Sequence, residues 1–274
     1  MKAIWVLENF KERFLISKIE LRIFLTSVVQ WKRFYPQSET VLFCTDDVHE
    51  YLRSLEADAL WDRIDSETLK TSDGVDRQRF WTAGKYKVMK GLETPFVLMD
   101  CDLFLIEKID ESVFEHDLVV CHPEDAEFYH HIWQREEVWD RVGIERLPED
   151  PEGKAWNVSF FYLKNQSFKG LYLETAWSWM EKLSTYRGEE QWQDGYMLYC
   201  EQKLLYDLSV KSGVKTYCLK GGISGENPVH LGEEKRREDL KKTHLPFREY
   251  QAQEAIKGSG LEEKVEKILA NWKH

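Results

Sequence analysis

The sequence predicts an α/β protein built on a mixed, mostly parallel central sheet flanked by helices. Two observations carry that prediction. Strand, helix and strand recur from the first residues onward, which argues against an antiparallel sandwich. The strands themselves, such as "TVLFCT" at 40–45, are nearly all apolar, as strands covered on both faces should be. A third feature concerns use: acids stand at strand ends, where open α/β sheets bind their ligands.

"AIWVL" at 3–7 reads as the first strand. Ser17 can cap a helix running to about Phe34, with Ile19, Ile23, Val28 and Trp31 among its apolar positions and Pro36 as its stop. The second strand follows at 40–45, with Asp46 and Asp47 at its carboxyl end and Asp47 able to cap a helix beginning near Val48. Residues 77–90, "RQRFWTAGKYKVMK", read as a helix turning Phe80, Tyr86, Val88 and Met89 inward, and "TPFVLMD" as the strand after it. "HDLVVCH" at 116–122 is a strand ended by Pro123. Segment 124–155, charged, aromatic and broken by prolines, reads as an inserted lobe or lid. Strand character returns in "AWNVSFFYLKN", then helices near 165–184 and 191–206, a strand at 214–219, and a turn region "GGISGENP". A domain over 1–245 and a helical tail over 246–274 are expected. In that tail Leu261, Val265, Ile268, Leu269 and Trp272 form one stripe for packing on the body.

At 274 residues, 42% hydrophobic and 32% charged, the chain can build a sizeable core and a wet surface. Its net charge of -11 argues against general affinity for nucleic acid or acidic membranes. "MKAIWVLEN" meets a Glu before a long apolar segment forms, and nothing later approaches a membrane span. Five scattered Cys without CxxC spacing read as reduced thiols, so the expected location is cytoplasmic.

The chemistry concentrates in "FVLMDCDLFLI", Phe96 to Ile106, where Asp100 and Asp102 stand one residue apart in an apolar run. Buried carboxylates need a cation, strong donors or an exit to solvent. In an extended chain, residues two apart point to the same side, so both acids can converge on one hard cation, Mg²⁺ or Mn²⁺. The bland alternative is an acidic turn with no ligand. Two enzyme types carry such a pair after a strand. Phosphatases of the haloacid dehalogenase type place it on the first strand, with Thr or Val two residues on. Here about ninety residues precede it and Phe104 holds that position. The other type is the GT-A glycosyltransferase, where the motif follows a nucleotide-binding half and grips a metal on the diphosphate.

The chain resembles the GT-A nucleotide-diphospho-sugar transferases, nearest the glycogenin and lipopolysaccharide-galactosyltransferase-like group. "FVLMDCDLFL" looks like that group's strand and DxD motif, and "RFWTAGKYKVMKGLETP" like the helix whose basic residue, here Lys85, reaches the donor. "AWNVSFFYLKN" resembles its FNxGxxLxN strand, making Asn157 the match near the donor sugar, with Ser159 where a glycine is expected. "EEQWQDGYML" resembles its DQDxLN segment, with Asp194 as the final acid and Gln191 and Gln193 around it. "VHLGEEK" resembles its histidine-glycine-lysine motif, one residue shorter between His and Lys. The resemblance implies a Rossmann-like nucleotide-binding half and a metal held by Asp100, Asp102 and His230. It implies diphosphate contacts from Gly232 and Lys235 as well, and sugar contacts from Asn157, Gln191, Gln193 and Asp194.

Imidazole ligation would tilt the metal toward Mn²⁺. Glu8, Asn9, Asp46 and Asp47, after the first two strands, are the candidates for meeting the base, with UDP as the expected nucleotide. Arg77 or Arg79 could pair with phosphate or with Asp100. The expected reaction transfers a sugar from a nucleotide diphosphate sugar to a glycan or other hydroxyl acceptor, with retention. The alternatives are a catalytically silent sugar-nucleotide-binding or assembly protein, and the DxD phosphatase. Donor sugar, acceptor and oligomeric state are not legible.

Overall fold

The structure, a computed structural model, describes residues 1–10, 14–70, 74–125, 127–147, 154–186, 193–219, 228–230 and 238–272. For 125, 127–128, 193–194, 230 and 238–244 it describes the backbone alone. It contains a mixed, mostly parallel β-sheet flanked by α-helices, as expected. The chain divides into two compact units, one of residues 1–69, 96–110 and 223–274, the other of 70–95 and 111–222. No helix among the described residues is long and apolar enough to cross a membrane.

In the first unit, β1 (Lys2–Leu7), β2 (Glu39–Cys44), β3 (Arg63–Asp65) and β4 (Phe96–Met99) lie parallel in the order β3-β2-β1-β4. Helix α1 (Lys18–Phe34) starts as its local sequence dictates. Ser17 Oγ accepts the Glu20 amide at 3.2 Å while the Glu20 carboxylate accepts the Ser17 amide at 3.0 Å, a reciprocal capping box. The helix is buried continuously from Leu21 to Trp31. Its neighbours are α9 (Glu238–Ile256), α10 (Glu262–Asn271) and the short β5 (Leu103–Phe104). The charged member of that run, Arg22, donates to Glu249 at 3.2 Å and to Glu266, so one guanidinium ties both terminal helices to α1. Val265, Ile268 and Leu269 are buried, as the stripe at the carboxyl end requires.

The second unit carries β6 (Leu118–Asp125), β7 (Lys154–Leu163) and β8 (Thr216–Cys218) in the order β7-β6-β8, antiparallel between β6 and β7 and parallel between β6 and β8. Its helices include α3 (Ala83–Gly91), α4 (Glu127–Trp133), α5 (Glu136–Arg141) and α6 (Gln166–Ser184), the last capped by Asn165. Then α7 (Gln193–Leu198) runs through a π-helical turn at Tyr199–Lys203 into α8 (Leu204–Ser212). Gly213, at φ 63, ends it in the left-handed region that glycine enters without penalty.

Four expected boundaries are corrected. Helix α3 begins at Ala83, not near residue 77. Before it the Asp76 carbonyl accepts the Phe80 amide at 2.8 Å in a single turn, and the Arg79 guanidinium donates to the Tyr186 carbonyl at 2.6 Å beyond the end of α6. Strand β6 continues through Pro123 to Asp125. Beyond Val120 it pairs with β7 and not with β8, and a proline is tolerated on such an edge. Helix α2 (Asp46–Ser54) begins two residues before Val48, with Thr45 at the cap position and Asp47 inside the first turn. The helix expected near 191–206 extends to Ser212.

Candidate functional site

The parallel registers of the first unit bring a set of acids to one edge. Leu7 pairs with Cys44, Phe43 with Asp65 and Ile4 with Leu98, so Glu8, Asp46, Asp47, Asp65 and Asp100 all belong to the carboxyl ends of neighbouring strands. Asn9 straps two of these ends together. Its backbone amide donates to Thr45 Oγ1 at 3.3 Å and its side chain donates to the Asp47 carboxylate. Glu8 Oε2 and Asp100 Oδ1 are both buried atoms. The negative potential registers on Cys44, whose thiol is pushed up to about 12 by burial and then by Asp46, Asp47 and Asp65. Asp65 behaves oppositely. Burial pushes it up, but hydrogen bonds from Thr68 and Glu67 and the charge of Arg63 outweigh that and hold it below the usual carboxylate range.

The acidic pair itself is not extended. The Leu103 amide donates to the Asp100 carbonyl at 3.2 Å, closing a four-residue turn with Asp100 first and Asp102 third. The expectation of two side chains on one face of a strand is therefore replaced by two acids on one tight turn. The chain leaves that turn as β5, which pairs antiparallel with β9 (Val229–His230). The register sets His230 opposite Leu103, the residue after Asp102. This ribbon is held from behind by packing, since Ile23, Phe104, Val229 and Ala252 form a fully buried cluster. Among the described residues, no group of three or more His, Cys, Asp or Glu side chains is placed to hold a metal ion. The side chain of His230 lies outside them, as do Gly232, Lys235 and Gln191 altogether.

The second unit holds Lys85, Asn157, Gln193 and Asp194. Gln193 and Asp194 open α7, and their side chains lie outside the described residues. Lys85 donates to Glu201 Oε1 at 3.0 Å, with 12% and 5% of the two side chains exposed. Glu201 belongs to the π-helical turn, which also turns Gln202 toward Tyr129 and Lys203 toward Asp207. Arg79, considered for phosphate or Asp100, donates to carbonyls at the end of α6. That is the ordinary satisfaction of a helix terminus.

Asn157 is the best-defined candidate. It is buried on β7 opposite His122 of β6, and Glu124 and Ser159 share its face because each is two residues along an adjacent or identical strand. Its Nδ2 donates to Glu124 Oε1 at 2.6 Å. Its Oδ1 accepts from the Ser159 amide at 3.0 Å and the Ser159 hydroxyl at 2.6 Å. Glu124, Tyr129, Glu201 and Gln202 were not singled out from sequence. The alternation in "HPED" and "AWNVS" could have placed Glu124 beside Asn157 once the strand pairing was known, but no local signal marks the π-helical turn.

No family model matches this sequence, and no curated protein matches it. Solved structures do resemble it. A nucleoside-diphosphate-sugar pyrophosphorylase from Vibrio cholerae RC9 is 13% identical at a TM-score of 0.49, covering 90% of this chain and all of its own, 100%. Mouse xyloside xylosyltransferase 1, in its apo form, is 13% identical at 0.41, covering 80% of this chain and 85% of its own. The galactosyltransferase LgtC, in complex with donor and acceptor sugar analogs, is 9% identical at 0.44, covering 93% and 96%. Each likeness is loose, below a TM-score of 0.5, and the functional reading rests on the site's own residues.

Proposed function

We propose that this chain is a GT-A-type glycosyltransferase that moves a sugar from a nucleotide diphosphate sugar, with UDP as the expected nucleotide, to a glycan or other hydroxyl acceptor. The observation that carries the reading is the β5–β9 register. It brings a histidine from near residue 230 beside an Asp-x-Asp turn near residue 100, and nothing in local sequence requires that meeting. The carboxyl edge around it is rich in acids, with buried oxygens on Glu8 and Asp100, and such oxygens suit a hard divalent cation.

In this reading Asp100, Asp102 and His230 would hold Mn²⁺ or Mg²⁺. When bound, the ion supplies Lewis-acid stabilisation of the departing diphosphate. Lys235 gives a point charge to phosphate oxygens, and Gly232 lets the backbone approach them. Glu8, just after β1, and Asp47, in the first turn of α2, stand at the strand ends assigned to the base. Lys85 meets the donor while held by Glu201. Asn157, Gln193 and Asp194 orient the sugar, and the reaction proceeds with retention, the leaving phosphate taking the acceptor's proton.

Calorimetry with UDP, GDP and their sugars, with and without Mn²⁺, tests this directly. Metal-dependent UDP binding that disappears in Asp102→Asn supports it. Binding of every nucleotide unchanged by chelator and by that substitution overturns the metal assignment. Binding without any donor hydrolysis would point to the silent sugar-nucleotide-binding protein instead.

A further inference from the structure

The Asn157 side chain is fixed in one orientation, and the fixing groups decide what it can offer. A backbone N–H can only donate, so the Ser159 amide at 3.0 Å requires an acceptor at that end of the carboxamide. The Ser159 hydroxyl, at 2.6 Å from the same oxygen, fills its second lone pair. At the other end, Glu124 Oε1 at 2.6 Å requires a donor and takes one of the two Nδ2 hydrogens. Glu124 is itself held, since the Tyr129 hydroxyl donates to its Oε2 at 3.1 Å while lying against the side-chain amide of Gln202. Burial and then the charge of Glu124 push the Tyr129 hydroxyl far above its usual range, so it stays protonated and remains a donor. Asn157 thus has its acceptor capacity consumed within the protein and one N–H left to give.

We infer that Glu124 and Ser159 are positioning residues that lock Asn157 as a one-way donor, so that the group it recognises is an acceptor oxygen of the transferred sugar. This rests on the reading of Asn157 as a sugar contact. The serine that stands in place of the family's glycine then has a use: it removes an acceptor from the sugar's surroundings. A substrate atom that can only donate, such as an ammonium on an amino sugar, finds no partner at Asn157.

The test measures binding of UDP, UDP-glucose, UDP-galactose, UDP-glucosamine and GDP-mannose, each with Mn²⁺, to the full chain and to Glu124→Ala, Glu124→Gln and Ser159→Gly. Circular dichroism melting establishes that each variant is folded. Glu124→Ala should weaken the sugar nucleotide about tenfold or more while UDP alone binds as before. Glu124→Gln should restore most of the loss, because an amide carbonyl still accepts from Asn157 Nδ2. Ser159→Gly should loosen selection against a UDP-amino sugar relative to UDP-glucose. Loss in Glu124→Gln equal to that in Glu124→Ala would mean that the charge matters and overturns the positioning role. Sugar-nucleotide binding unchanged in Glu124→Ala overturns it too, with the wider reading intact. Failure of all the sugar nucleotides to bind the unaltered chain overturns both. A Glu124→Ala chain that does not fold leaves Ser159→Gly to decide, and unchanged selection there overturns the inference.

Discussion

The Lys85 ammonium donates to Glu201 at 3.0 Å across 116 residues of sequence, joining α3 to the π-helical turn inside the second unit. Each side chain is nearly closed to solvent, and the pair sets two opposite charges against one another. Removing one partner of a buried ion pair costs about 3–5 kcal/mol. Lys85→Met and Glu201→Gln should each lower stability by an amount in that range, and the double variant should lose clearly less than their sum. Urea denaturation of the four chains gives the coupling.

Metal should stabilise the folded chain through the acidic turn. With Mn²⁺ and UDP at one hundred times the dissociation constant, the gain is about 2.7 kcal/mol for the unaltered protein. Asp102→Asn should show almost none of it, and a chelator should erase it. A thermal melt with and without EDTA checks this without any enzymatic assay.

The start of α1 depends on the reciprocal bonds between Ser17 and Glu20. Ser17→Ala removes the hydroxyl acceptor and should cost about 1 kcal/mol. Equilibrium denaturation measures it, and a loss within error of zero would show that packing of α1 alone holds its first turn.

Alkaline pH should destabilise the protein partly through Cys44. Its thiol is raised from an ordinary 9.0 to about 12 in the folded state, so the unfolded chain holds fewer protons between those values. The contribution is therefore full below pH 9.0 and is lost as pH rises toward about 12, with a slope of at most about 1.4 kcal/mol per pH unit. Other buried thiols titrate in the same direction, so the informative quantity is the difference between the parent and Cys44→Ala. That difference should shrink steadily above pH 9. The thiol should also resist alkylation at pH 8 until the protein is unfolded.

Much of the fold was readable because its signals are local. The apolar runs at 3–7 and 96–99 became β1 and β4, and Ser17 marked the start of α1. Two boundaries differ from expectation because a distant group intervenes. Arg79 left its own segment to serve the end of α6, and Pro123 stayed in β6 because of which strands lie beside it. The pairing of acids showed the same limit. Asp100 and Asp102 were visible as a motif, yet the turn that holds them is set by the Leu103 amide and by the ribbon it leads into.

By itself, then, the sequence determined the α/β class, the order of most elements and the residues worth suspecting, because burial periodicity and capping act over a few neighbours. Only tertiary structure decided that His230 stands across from Leu103, that Lys85 answers to Glu201, and that Glu124 holds Asn157. Those partners meet through strand register and helix packing. Register is a property of two strands together, and no stretch of one chain carries it alone.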